Sequence, residues 1–258
     1  MVDNVPSVAT AAVHPYLEWP GPIPFAHRGG ASDNPENTMP AFQHAVDLGF
    51  TYLETDVHAT SDGVLLAFHD ASLDRTTDMT GDINDLPWSD VQQARVDGRE
   101  PIPLFEDLMD RFPTARVNID CKADSAVDAL IASLRRLDCL DRVLIGGFSD
   151  ARLRRFRREF GDALCTSFGP QQIAALRFAG RVPWGGQAAQ VPVRQGRITI
   201  VDERTVERAH RRGFHVHVWT IDEPDEMHRL LDLGVDGIMT DRPQTLKDVL
   251  IDRGEWHQ

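Results

Sequence analysis

Thr51-Tyr52-Leu53-Glu54-Thr55-Asp56-Val57 and Val64-Leu65-Leu66-Ala67-Phe68-His69, joined through Ser61-Asp62-Gly63, decide the fold of this 258-residue chain. Both runs read as strands, rich in apolar and β-branched residues. A parallel crossover needs roughly a dozen residues or more, so the second run must fold back as the antiparallel arm of a hairpin. Outward from this pair, β-rich runs at 23–27, 116–121, 143–147, 163–167, 186–191, 214–219 and 236–240 alternate with helical patterns. The helices are predicted at 38–48, 104–111, 124–137, 150–159, 170–179, 203–212, 223–233 and 243–252, with Asn37 or Thr38 capping the first. With the hairpin arm set aside, eight parallel strands remain. That is the count of a (β/α)8 TIM barrel, an α/β fold.

The segment from about 59 to 102 then becomes a small insertion after the second strand. It carries the hairpin arm, a polar loop from Thr76 to Asn84 and a short helix near Pro87 to Arg95. Barrel enzymes build their sites from loops at the carboxyl ends of the strands, so this insertion should overhang the site. Residues 1–22 read as an irregular N-terminal lead-in and 23–258 as a single barrel domain.

Composition narrows the partners. A formal charge of −13 argues against nucleic acid and against an anionic membrane surface. No run approaches the ~20 apolar residues of a membrane span, and Asp3 sits where a signal peptide carries positive charge. A cytoplasmic protein without membrane insertion is expected; nothing in the sequence indicates an oligomeric state. Cys121, Cys139 and Cys165 are odd in number and widely spaced, which predicts buried thiols rather than disulfides or a zinc site.

Glu54 and Asp56 lie two apart on a strand and share a face. Two inward carboxylates repel each other unless a cation lies between them. In 116–121, Asn118, Asp120 and Lys122 alternate with Val117, Ile119 and Cys121. The apolar set should face the helices, which turns Asp120 inward as a third carboxylate with Lys122 above it. His27 and Arg28 end the first strand before Gly29-Gly30. With a turn near Ser61, His69 falls roughly opposite residues 53 and 54, its ring near Glu54. The set combines a hard-cation site, phosphate-binding cations in Arg28 and Lys122, and two proton-transfer groups in His27 and His69. Phosphodiester cleavage needs that combination.

His27-Arg28-Gly29-Gly30 with Pro35-Glu36-Asn37-Thr38, then Glu54-Thr55-Asp56-Val57-His58, Asp62-Gly63, His69-Asp70 and Leu73-Asp74-Arg75-Thr76-Thr77 resemble the glycerophosphodiester phosphodiesterase family. Ile102-Pro103-Leu104, Asn118 to Lys122, Val218-Trp219-Thr220 and Thr240-Asp241-Arg242-Pro243 extend the resemblance to nearly the whole chain past residue 22. It implies hydrolysis of small glycerophosphodiesters to an alcohol and sn-glycerol 3-phosphate, through a cyclic phosphate formed by a glycerol hydroxyl. It also implies one divalent cation, Mg2+ or Ca2+, held by Glu54, Asp56 and Asp120, with His27 and His69 as the acid/base pair and Arg28 and Lys122 on the phosphate. The family pattern most often has glutamate where this chain has Asp120, and the shorter side chain leaves direct contact with the ion open.

Gln187 or Gln190 could line the mouth, and Trp219 could pack the glycerol or alcohol. Glu36 is a candidate supporting residue, Asn37 a helix cap, and the run Arg152 to Arg158 a solvated helix face. Two other readings compete. A lysophospholipase D-like activity would need apolar surface at the mouth, which the polar stretch Asp78 to Asp85 disfavours. A catalytically silent barrel binding a phosphorylated ligand would have lost a histidine, arginine or carboxylate, and none is missing.

Overall fold

The computed structural model describes residues 13–179, 182 and 185–258. Strands buried almost throughout pair side by side into a parallel barrel: β1 (Ile23–Ala26), β2 (Tyr52–Ala59), β3 (Arg116–Cys121), β4 (Val143–Gly146), β5 (Cys165–Thr166), β6 (Ala188–Val191), β7 (His215–Val218) and β8 (Gly237–Thr240). Pairing runs in the order β5-β4-β3-β2-β1-β8-β7-β6. A single parallel bridge, Ser167 to Ala188, brings the two ends together and nearly closes the barrel. The helices wrap outside: α1 (Met39–Asp47), α2 (Phe105–Arg111), α3 (Ala126–Leu137), α4 (Asp150–Phe160), α5 (Pro170–Ala174), α6 (Glu203–His210), α7 (Pro224–Asp232) and α8 (Pro243–Asp252). A wider turn at Ala175–Ala179 extends α5.

Strand alternation sorts two cores. Leu53, Val57, Val117, Ile119 and Cys121 point outward into the helix layer. Phe25, Tyr52, Leu144, Cys165, Ala188 and Met239 point inward and fill the lower barrel. Of the predicted lead-in, residues 1–12 lie outside the described residues, whereas Pro15–Leu17 form a turn that seals the barrel floor with fully buried Tyr16. Tyr52 donates its hydroxyl to the Tyr16 carbonyl at 2.7 Å, and Arg116 donates to the Glu18 carbonyl at 2.6 Å. All three cysteines are buried free thiols.

The hairpin forms as expected, with Leu65–Ala67 antiparallel to β2. Its register differs by one or two residues from the sequence expectation. Val57 pairs with Ala67, so the turn centres at Asp62 and the arm sets His69 beyond the end of pairing, level with Thr55 rather than residue 53 or 54. Thr60 Oγ1 donates to Asp62 at 2.5 Å and Gly63 takes φ +83, which fixes that turn. Within the insertion a helix at Trp88–Val91 is shorter than predicted, and a small hairpin pairs Arg95–Val96 with Glu100–Pro101. Leu66, Phe68, Leu73, Ile83 and Val91 give the insertion a core of its own.

Two further expectations are corrected. Thr38, not Asn37, caps α1, accepting from Ala41 N. The arginine run is only partly solvated: Arg157 donates to Thr166, Gln172 and the Ser167 carbonyl, and Arg152 to the Cys121 carbonyl. These two arginines tie α4 to the barrel rim because their long stems reach the Cys121 and Ser167 carbonyls at the ends of β3 and β5.

Candidate active site

β1 ends at Ala26, and His27–Gly29 form one tight turn. Arg28, Gly29 and Gly30 all take left-handed φ values of 52, 83 and 93. An added Cβ on Gly29 would meet Ala41 at 2.8 Å, and one on Gly30 would meet the Pro243 ring at 2.6 Å. Only glycine lets the chain reverse this tightly against α1 and α8. The reversal folds Arg28 back over the barrel mouth, where its amide donates to Glu54 Oε2 at 3.0 Å. Its guanidinium lies between two acids, with Nη1 3.0 Å from Glu36 and Nε 3.1 Å from Asp56.

Glu54 and Asp56 point into the barrel and are buried, as is Asp120. Parallel pairing sets Asp56 directly beside Asp120. Lys122 joins them, its ammonium 2.8 Å from Asp56 Oδ1 and 2.6 Å from Asp120 Oδ2. Burial works against this ammonium, but the Asp120 and Asp56 charges outweigh it and hold its pKa above the lysine norm. Asp56 is in turn pulled below the usual carboxylate range: burial opposes its charge, and Lys122 and Arg28 more than compensate. Glu54 goes the other way, raised by burial and by repulsion from Asp56.

Among the described residues, no three His, Cys, Asp or Glu side chains already stand as a ligand cluster for one ion. Lys122 fills the space between two of the carboxylates. The donor set nevertheless fits a hard cation. Glu54 is the inward carboxylate that lacks a full cationic partner, and Asp120 Oδ1 is buried without a hydrogen-bond partner.

The two histidines share one arrangement. His27 Nδ1 bonds Asp241 Oδ1 at 2.7 Å, and its Nε2 lies 3.8 Å from Glu54. His69 Nδ1 bonds Asp70 Oδ1 at 2.5 Å, and its ring faces the same cavity. In each case a carboxylate pairs with Nδ1, which favours the proton on that nitrogen and leaves Nε2 outside the pair. Burial lowers the His27 pKa, but Glu54 and the Asp241 hydrogen bond raise it more. Asp70 is held down to about 2 by its hydrogen bonds from Arg75 and His69. Arg75 also grips Glu36 through Nη1 at 3.0 Å and Nη2 at 2.7 Å, so an unbroken ionic chain runs His69-Asp70-Arg75-Glu36-Arg28. The insertion is thereby locked to the first-strand loop.

Gln190 and Trp219 both line the cavity. Gln190 donates to Asn118 at 2.8 Å and approaches His217 Nδ1 at 3.3 Å; Gln187 instead accepts from Thr166 N below the mouth. Three residues carry roles that the sequence reading did not assign. Asn37 is buried and donates to Asp56 Oδ2 at 3.1 Å, while Asp241 and Asp70 orient the histidines. Asp70 adjoins His69, and Asp241 stands in the Thr240-Asp241-Arg242-Pro243 motif, so both were visible without a role.

The family model described as the glycerophosphoryl diester phosphodiesterase family matches residues 27–153 and 126–245. A Mycobacterium tuberculosis protein named "Probable glycerophosphodiester phosphodiesterase 2" is 41% identical over 93% of this chain and 95% of its own length. A mouse protein named lysophospholipase D GDPD1 is 28% identical over 88% of this chain and 85% of its own. The structure of an Oleispira antarctica phosphodiesterase, described as a complex with the product sn-glycerol-3-phosphate, superposes with TM-score 0.77 at 20% identity, covering 90% of this chain and 97% of that one. The matched stretches hold every residue placed at the barrel mouth above, and the chain belongs to the glycerophosphoryl diester phosphodiesterase family.

Proposed function

We propose that this chain hydrolyses glycerophosphodiesters to an alcohol and sn-glycerol 3-phosphate with the help of one divalent cation, Mg2+ or Ca2+. The observation that carries this reading is the paired arrangement of His27 and His69, each with Nδ1 held by a carboxylate, facing one cavity that also holds Arg28 and Lys122. Arg28 Nε is buried without an aligned acceptor, a donor suited to a phosphoryl oxygen. Lys122, tethered by two carboxylates, presents fixed positive charge to the same group.

Glu54, Asp56 and Asp120 would hold the cation, which when bound supplies Lewis-acid stabilisation of charge on the phosphoryl oxygens. One histidine takes the proton from a glycerol hydroxyl as that oxygen attacks phosphorus, and the other protonates the departing alkoxide. The resulting cyclic phosphate is opened by water with the two roles exchanged. Asp241 and Asp70 keep the working nitrogens in place throughout. The names and contents of the relatives support this direction, and the full complement of histidines, cations and carboxylates argues against a silent binding barrel.

A panel of glycerophosphocholine, glycerophosphoethanolamine and glycerophosphoinositol, each with Mg2+, Ca2+ or Mn2+, tests the proposal. Release of glycerol 3-phosphate from at least one diester is expected. No turnover with any combination would overturn the proposal.

A further inference from the structure

The proposed acid/base and phosphate groups stand on two separate pieces of chain. His27 and Arg28 belong to the loop after β1, whereas His69 lies just past the returning arm of the hairpin, in the insertion. Groups that act together must be held closely, since a misplacement of about 1 Å costs roughly a hundredfold in rate. Among the described residues, every hydrogen bond and ion pair between the loop after β1 and the insertion is made by one side chain, Arg75.

Arg75 uses its whole fork. Nη1 and Nη2 meet the two oxygens of Glu36 at 3.0 and 2.7 Å, and Nε donates to Asp70 Oδ2. Each acid then continues the link. Glu36 Oε1 also accepts from Arg28 Nη1 at 3.0 Å, and Asp70 Oδ1 holds His69 Nδ1 at 2.5 Å. Arg75 is half-exposed, but the acids are more sheltered, with 17% of the Glu36 side chain and 23% of the Asp70 side chain open to solvent. Burial opposes the Glu36 charge, yet Arg75 and Arg28 pull its pKa below the usual carboxylate range. The backbone at each end is fixed as well. Leu73, two residues before Arg75, is fully buried in the insertion core, and its carbonyl accepts from Thr77 N at 3.1 Å and from Thr77 Oγ1 at 2.8 Å. Beside Glu36, the Asn37 amide donates to the Arg28 carbonyl at 3.0 Å. An isolated exposed ion pair contributes little, because two long side chains must be ordered to make it. A planar fork set between two anchored acids avoids most of that ordering.

Resting on the phosphodiesterase reading above, we infer that Arg75 is a positioning residue: its guanidinium sets His69 through Asp70 and Arg28 through Glu36, and so holds a proton-transfer group and a phosphate donor in one frame. Arg75, Glu36 and Asp70 all stand outside the lining of the cavity, so the effect travels through the two acids to the groups that face it. Lysine cannot take the same place. A single ammonium on a flexible stem lacks the fork that meets Glu36 with two nitrogens and Asp70 with a third. The link also makes its two ends depend on each other. Loosening Glu36 on the first loop should disturb His69, and loosening Asp70 on the insertion should disturb Arg28. Among the described residues no hydrogen bond joins Glu36 to His69 or Asp70 to Arg28, so either disturbance has to pass through Arg75.

Arg75→Ala should lower kcat/KM on the order of ten- to hundredfold for whichever diester of the panel the protein turns over, the usual cost of losing a group that orients a working side chain. Arg75→Lys should recover little of that loss, whereas a purely structural or long-range electrostatic role would be restored by lysine. A double-mutant cycle reads the link itself. Glu36→Gln and Asp70→Asn should together cost far less than the product of their separate effects, and in the Arg75→Ala background the two effects should multiply. The same cycle in glycerol 3-phosphate affinity, by calorimetry, needs no turnover. A loss in Arg75→Ala smaller than about fivefold, the range of an ordinary exposed ion pair, overturns the inference. So does full activity in Arg75→Lys, or a cycle whose effects multiply with Arg75 present. Coupled effects on glycerol 3-phosphate affinity with no turnover of any diester instead overturn the phosphodiesterase reading and leave the Arg75 link standing. Neither turnover nor coupling overturns both.

Discussion

His69→Ala should lower kcat by about a hundred- to ten-thousand-fold, the usual worth of one positioned acid or base, while the protein stays folded. His69 is partly exposed, and among the described residues its ring makes a single protein hydrogen bond, to Asp70. Removing it therefore opens no core cavity. The loop that carries it is anchored separately: His58 Nε2 bonds the His69 backbone carbonyl at 3.0 Å, a contact that alanine retains. Steady-state kinetics beside a thermal melt followed by circular dichroism would check both halves of the expectation. Turnover close to wild type would remove His69 from the acid/base pair. His27→Ala should cost a similar factor, and the double variant should lose far less than the product of the two, the result expected of two histidines proposed to act in one step.

Removal of divalent ions should be as damaging. Charge stabilisation by a bound ion is worth several kcal/mol, so chelation followed by desalting should cut turnover on the order of a thousandfold. The electrostatics of the mouth favour a cation there. Glu54 is buried beside Asp56, and Lys122 with Arg28 answers the charge of Asp56 but leaves Glu54 raised. Calorimetric titration of Mg2+ or Ca2+ into the chelated protein should reveal one site, lost in Asp56→Asn. Unchanged turnover after chelation, or no recovery with Mg2+, Ca2+ or Mn2+, would contradict the carboxylate assignment.

Period-two alternation carried most of what could be read from the chain. It put Glu54, Asp56, Asp120 and Lys122 on the inner face, and β2 and β3 hold them there in matched register. The hairpin argument reduced nine candidate strands to eight parallel ones and exposed the insertion. What local pattern cannot supply is how separate loops meet. Asn37 read as a cap because helix starts favour asparagine, but a left-handed φ of 53 turns it inward to Asp56. Lys122 read as standing above Asp120, whereas it lies between Asp120 and Asp56 and so competes with a ready-made ion cluster. The cavity's apolar lining was hidden for the same reason: Phe148, Phe178 and Ile198 come from loops after β4, β5 and β6, and only barrel closure brings them to one cavity.

Phosphorus NMR of glycerophosphocholine mixed with the purified protein and a divalent ion tests the central claim most directly, since diester, cyclic phosphate and monoester resonate apart. The account predicts that the diester signal gives way to glycerol 3-phosphate, with the cyclic species in passing, and that His27→Ala leaves the diester intact. Conversion at the wild-type rate by His27→Ala, or a diester signal that persists with the wild-type protein in Mg2+, Ca2+ and Mn2+ alike, would contradict it.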